Sequence, residues 1–84
     1  MLVRIRLFAR LREIAGAAEL QRTIDDGATA GAVWDRLAVE FPELADYATA
    51  VSCAVNEEHA RLTAVLREGD EVAFLPPVSG GSPF

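Results

Sequence analysis

Gly80 and Gly81 stand just beyond Pro76-Pro77, in a segment without periodicity that runs Val78-Ser79-Gly80-Gly81-Ser82-Pro83-Phe84. The proline pair fixes two φ angles and withdraws two backbone donors, so a sheet strand cannot run far past it. Glycine carries no side chain, and an arm ending in two of them can thread into a narrow site on a partner. A glycine carboxylate on such an arm can be adenylated by the partner and converted to a thiocarboxylate. The chain is then a handle, and the partner supplies the catalysis. On the residues alone a second reading stands beside this one, a frayed Gly/Ser chain end of the ordinary kind.

The other reactive residue types are poorly placed for chemistry. Cys53 is the only cysteine, so this chain can form no internal disulfide and no cysteine metal cluster by itself. It sits in Ala50-Val51-Ser52-Cys53-Ala54-Val55, which reads as a strand and suits a buried small hydrophobe better than a catalytic thiol. His59 is the only histidine, without a second His or a spaced acidic pair around it. No Ser-His-Asp set, zinc spacing or phosphate-cradling loop can be drawn from these residues. Glu57-Glu58, Asp25-Asp26 and Asp70-Glu71 are adjacent pairs, whose side chains point apart, and read as solvated turns. The expectation is a protein with no cofactor and no metal, non-catalytic when alone.

The elements that must position this tail fit in one domain. Eighty-four residues leave room for no more, and 51% hydrophobic content is too high for a disordered chain. There is no lysine; all eight positive charges are arginines, set against thirteen Asp and Glu for a formal net charge of -5. That balance argues against a nucleic-acid backbone as partner. The chain can also accept no isopeptide-linked modifier on its own side chains. Charges interrupt the first residues, Met1-Leu2-Val3-Arg4-Ile5-Arg6, and no stretch approaches a membrane span, so the expected location is cytoplasmic.

Val3, Ile5 and Leu7 alternate with Arg4, Arg6 and Phe8, the period-2 pattern of a strand with one buried face. Arg10 to Ala15 reads as a helical turn broken at Gly16, and Glu19 to Ile24 as a second strand pairing with the first. Thr29 is the expected N-cap of a helix running to about Phe41, with Val33, Trp34, Leu37, Ala38 and Phe41 as its apolar stripe. Pro42 ends it, and Pro42 to Ala48 has room for a short second helix. A third strand is expected at Val51 to Val55, a turn at Asn56-Glu57-Glu58, a short strand or bend at Arg61 to Thr63, a turn at Arg67 to Asp70, and a last strand at Glu71 to Leu75. One main helix covers one sheet face, which predicts an α+β mixed sheet of four to five strands with its other face open. The first and last strands should be the central pair. Phe8, Leu75, Leu2 and Ala73 then point away from the helix, beside Arg4, Arg6 and Glu71, and an apolar cluster near the root of a tail suggests docking. The domain occupies residues 1–77 and the tail residues 78–84.

The run Gly69-Asp70-Glu71-Val72-Ala73-Phe74-Leu75-Pro76-Pro77-Val78-Ser79-Gly80-Gly81 resembles the closing signature of the small subunit of molybdopterin synthase. The opening from Val3 to Gly16 and the central Ala54-Val55-Asn56 resemble that family as well. The resemblance implies a β-grasp (ubiquitin-like) sulfur carrier for molybdenum cofactor biosynthesis. It further implies that Gly81, preceded by Gly80, is adenylated by an ATP-dependent activating enzyme and sulfurated with the help of a sulfur donor protein. The thiocarboxylate tail then enters the large subunit of the synthase and gives its sulfur to cyclic pyranopterin monophosphate. By the same resemblance the docking patch falls on Phe8, His59 and Leu75.

In one respect the sequence departs from the pattern: Ser82-Pro83-Phe84 follows the glycine pair. A thiocarboxylate cannot form on Gly81 while its carbonyl is held in a peptide bond to Ser82, so a processing protease is expected to remove residues 82–84. The alternatives are a sulfur carrier of the thiamine or cysteine pathway and a non-carrier ubiquitin-like binding module.

Overall fold

A computed structural model describes residues 1–77. Gly80, Gly81 and the rest of the segment 78–84 lie outside the described residues. Strand β1 (Leu2–Leu7) is followed by helix α1 (Ala9–Ala15), strand β2 (Glu19–Thr23), helix α2 (Ala30–Glu40), a 3-10 helix at Pro42–Tyr47, and strands β3 (Ser52–Val55), β4 (Glu58–Ala60) and β5 (Glu71–Leu75). The five strands form one mixed sheet in the order β2-β1-β5-β3-β4. β1 and β5 are parallel neighbours at its centre, while β1/β2, β3/β5 and β3/β4 are antiparallel. This is the mixed sheet with a central β1/β5 pair that the residue pattern predicts, in the β-grasp arrangement that the resemblance implies.

The alternation in β1 sorts its side chains by face. Val3, Ile5 and Leu7 are buried, and across the parallel pairing they meet Val72 and Phe74 of β5. α2 supplies Ala30, Val33, Trp34 and Leu37 from above, and Trp34 packs on Phe74 with ring centroids 5.1 Å apart and planes tilted by 58°. Leu11 of α1, Leu44 of the 3-10 helix, Ile24, Cys53 and Leu66 close the core, which contains no buried charged residue among those described. Each fully buried Leu, Val, Ile or Phe contributes roughly 1.5–3 kcal/mol relative to an exposed one, so this layer outweighs any surface ion pair.

The local signals act as their chemistry suggests. Thr29 caps α2, its hydroxyl accepting the Ala32 N–H at 3.1 Å. Gly16 ends α1 in the left-handed region at φ 75, which glycine enters without steric penalty. Arg22 of β2 reaches under α2 and donates from Nε and Nη2 to the two oxygens of Glu40, at 2.8 and 2.6 Å. That bidentate pair fastens the edge strand to the helix.

One expectation needs correction. The short strand is not at Arg61 to Thr63 but at Glu58–Ala60, and Glu58 belongs to it rather than to the turn. Asn56 and Glu57 both take positive φ, 51 and 70, so a two-residue hairpin turn closes at once and β4 starts immediately. The connection from β1 to β2 contains the seven-residue helix α1, ended at Gly16 as expected, and the two strands pair antiparallel.

Candidate functional site

The site is the sheet face turned away from the helices, together with the root of the tail. β5 alternates so that Val72 and Phe74 enter the core while Glu71, Ala73 and Leu75 take the other side. Leu75 is 39% exposed and is followed by Pro76-Pro77, where the described chain ends. In the register, Leu75 lies opposite Ser52, Ala73 opposite Ala54, and Ala54 opposite His59. Arg6 lies opposite Ala73 on the other flank. One row across the sheet therefore reads Arg6, Ala73, Ala54, His59, and the next row toward the tail holds Leu75.

Phe8 continues the outward set of β1. It sits at φ -122 and ψ 152, still extended, as the residue before α1, and its side chain is half-buried. Ala9 then turns the chain at φ 52, an uncommon conformation for a residue with a Cβ, and Leu11 drops into the core two residues later. The guanidinium of Arg6 lies 5.2 Å from the centre of the Phe8 ring. Its Nη1 donates to Glu71 at 3.4 Å, and Nη2 of Arg4 approaches the other oxygen of Glu71 at 3.8 Å.

Phe8, Leu75 and His59 thus share one face, with His59 two strands from Leu75 and exposed. The small Ala73 and Ala54 between them leave a low floor. Gly80 and Gly81 fall outside the described residues. Arg4, Arg6 and Glu71 were placed on this face by alternation. Their ion triad and the stacking of Arg6 on Phe8 were not foreseen, because side-chain reach across strands leaves no mark in spacing.

The remaining reactive groups are structural. Cys53 is buried, its Sγ donates to the carbonyl of Ala60 at 3.4 Å, and burial pushes the thiol pKa up, away from the nucleophilic thiolate. Asp70 accepts from Asn56 Nδ2 at 3.0 Å and from the Arg67 N–H at 2.8 Å, which holds its carboxyl below the usual range. Asn56 in turn accepts the Glu71 N–H at 3.0 Å. These bonds tie the β3–β4 turn to the turn that launches β5, and so steady the strand carrying Leu75. Among the described residues no group of three or more His, Cys, Asp or Glu is gathered to hold a metal ion, and no helix is long and apolar enough to cross a membrane.

Comparison with known proteins gives this geometry a context. The ThiS family pattern matches residues 5–81, ending on the second glycine of the tail. The molybdopterin synthase sulfur carrier subunit of Arabidopsis thaliana is 37% identical over 79 residues, covering 94% of this chain and 82% of its own. The small archaeal modifier protein 1 of Haloferax volcanii is 36% identical over 87 residues, covering 90% of this chain and 97% of its own. The crystal structure of SAMP1 from Haloferax volcanii superposes with a TM-score of 0.80 at 32% identity, over 96% of this chain and 100% of that one.

Proposed function

Because the chain belongs to the ThiS family, we propose that it carries sulfur into molybdenum cofactor synthesis as a thiocarboxylate on Gly81. The protein is a sulfur carrier of the ThiS kind, related over nearly its whole length to molybdopterin synthase sulfur carrier subunits. The observation that carries the finer reading is that the family match runs through Gly80 and stops at Gly81. In this reading the globular part does no chemistry. It presents the tail.

The steps ask little of the domain. Water, directed by a processing protease, cleaves the Gly81–Ser82 bond and leaves a glycine carboxylate. An ATP-dependent activating enzyme adenylates that carboxylate with loss of pyrophosphate. The outer sulfur of a donor protein's persulfide then attacks the acyl adenylate and expels AMP. A thiol reduces the resulting acyl disulfide to the thiocarboxylate, and that thiocarboxylate enters the large synthase subunit to meet cyclic pyranopterin monophosphate. The open face with Phe8, Leu75 and His59 would dock both large partners in turn, since each must receive the same tail from the same root. Pro76-Pro77 supports this reading: two fixed φ angles aim the arm and lower the entropy lost on insertion.

The experiment is sulfur transfer by a chain ending at Gly81, charged by its organism's own activating enzyme and supplied with the large subunit and cyclic pyranopterin monophosphate. Formation of the dithiolene product supports the assignment. A charged carrier that is refused by that large subunit moves it to another sulfur pathway.

A second reading has one observation in its favour, the 36% identity to a small archaeal modifier protein. An adenylated glycine can also acylate an amine of another protein. With no lysine of its own, this chain would modify other proteins without building lysine-linked chains on itself. Tail-linked adducts in native extracts, absent when Gly81 is deleted, would establish that activity.

A further inference from the structure

We propose that Arg4 and Arg6 form a cationic specificity element on the open face, and that the large synthase subunit meets them with a carboxylate set beside an apolar socket for Phe8 and Leu75. The inference rests on the carrier reading above, which supplies the partner.

Arg4 and Arg6 occupy successive outward positions of β1 and converge on one carboxylate, Glu71, at 3.8 and 3.4 Å. Two guanidinium groups against one acid leave a charge of +1 in the triad. The acid lies low and the cations ride high: the Glu71 side chain is 16% exposed, those of Arg4 and Arg6 50% and 41%. Each guanidinium carries five N–H donors. Arg6 spends one on Glu71, and Arg4 makes no side-chain hydrogen bond among the described residues. Both have donors to spare on the solvent side.

The stacking of Arg6 on Phe8 turns this surplus into a requirement on the partner. A surface that buries the Phe8 ring must also strip water from the guanidinium 5.2 Å from its centre. Desolvating a charged group without a new acceptor costs several kcal/mol. A carboxylate answers that need best, because its two oxygens match the planar fork of a guanidinium. Glu19, in register with Arg6 on β2, forms no ion pair with it among the described residues and lies on the side away from Leu75. The acceptor must therefore come from outside. The sign is also selective: the chain as a whole carries a net charge of -5, so an acidic partner is favoured only at a local cationic surplus such as the one these two arginines make beside Phe8.

Binding of the full chain to its organism's large synthase subunit, measured by calorimetry at several salt concentrations, tests this. Arg6→Glu and the pair Arg4→Glu/Arg6→Glu should weaken binding about tenfold or more at low ionic strength, with the gap closing toward about 0.5 M salt. Arg6→Lys, which keeps the charge but loses the planar fork, should bind between the wild type and Arg6→Glu and keep the wild-type dependence on salt, and Phe8→Ala should weaken binding at every salt concentration. Circular dichroism of each variant confirms that the fold is intact. Charge-reversed variants that bind like the wild type while Phe8→Ala binds poorly overturn the carboxylate inference and leave the docking face standing. If Phe8→Ala binds like the wild type as well, the docking reading falls and the inference falls with it.

Discussion

Arg6 links the two kinds of contact on the open face: its guanidinium stacks 5.2 Å from the centre of the Phe8 ring and binds Glu71 of β5 at 3.4 Å. One side chain thus joins the end of β1 to the strand from which the tail departs. The apolar and charged parts of the face are a single unit, held by the central parallel pair of the sheet.

For that face the expected result of Phe8→Ala or Leu75→Asp is an intact fold with impaired docking. Neither side chain belongs to the buried core, so the thermal midpoint should change little. Loss of an aromatic anchor at an interface typically costs about 2 kcal/mol or more. Calorimetry against the large subunit and thermal unfolding of the free chain separate the two effects.

Core truncation should behave in the opposite way. Phe74→Ala removes the fully buried ring against which Trp34 packs at 5.1 Å, and should cost roughly 3–5 kcal/mol. Denaturant unfolding followed by the fluorescence of Trp34, the only tryptophan, reports both the loss and the changed environment of the indole.

Gly31→Ala should destabilise the domain although alanine is the better helix former. A Cβ at position 31 would lie 3.1 Å from the carbonyl oxygen of Leu62, the same oxygen that accepts the Gly31 N–H at 2.8 Å. That carbonyl cannot retreat without loosening the bond. We expect a net loss on the order of 1 kcal/mol after the propensity gain is set against it, measurable as a lower urea midpoint.

Asp70 makes the stability depend on acid. Asn56 and the Arg67 amide hold its carboxyl below the usual range in the folded chain, so the folded state favours the ionised form. The stabilisation is complete above the unfolded pKa and is lost as pH falls through the lower folded value. Glu40, lowered chiefly by its hydrogen bond to Arg22, acts with the same sign. Asp70→Asn should therefore be about 1 kcal/mol less stable than the wild type near neutrality, and the difference should shrink as pH drops below about 4. A difference that holds constant down to acid pH would contradict this account.

Much of this was legible in the residues. The β1 alternation, the Thr29 cap, the stop at Pro42 and the outward placement of Phe8 and Leu75 follow from local stereochemistry, and the structure has them all. What escaped was nonlocal or conformationally unusual. Glu57 in the left-handed region gives no compositional sign of a two-residue turn, so β4 was expected too late in the chain. Gly31 costs the first helical turn propensity, and only the approach of Leu62 explains its presence there. The Arg6 stack depends on a ring and a guanidinium two residues apart, which alternation places on one face without saying that they touch.

The central claim is that Gly81 bears the sulfur, and the intact mass of the carrier tests it most directly. Protein isolated from its native cells should end at Gly81, and incubation with the cognate activating enzyme, ATP and a sulfur donor should exchange one oxygen of that terminus for sulfur. A chain that native cells keep joined to Ser82, and that stays uncharged even when supplied already trimmed to Gly81, would contradict the account.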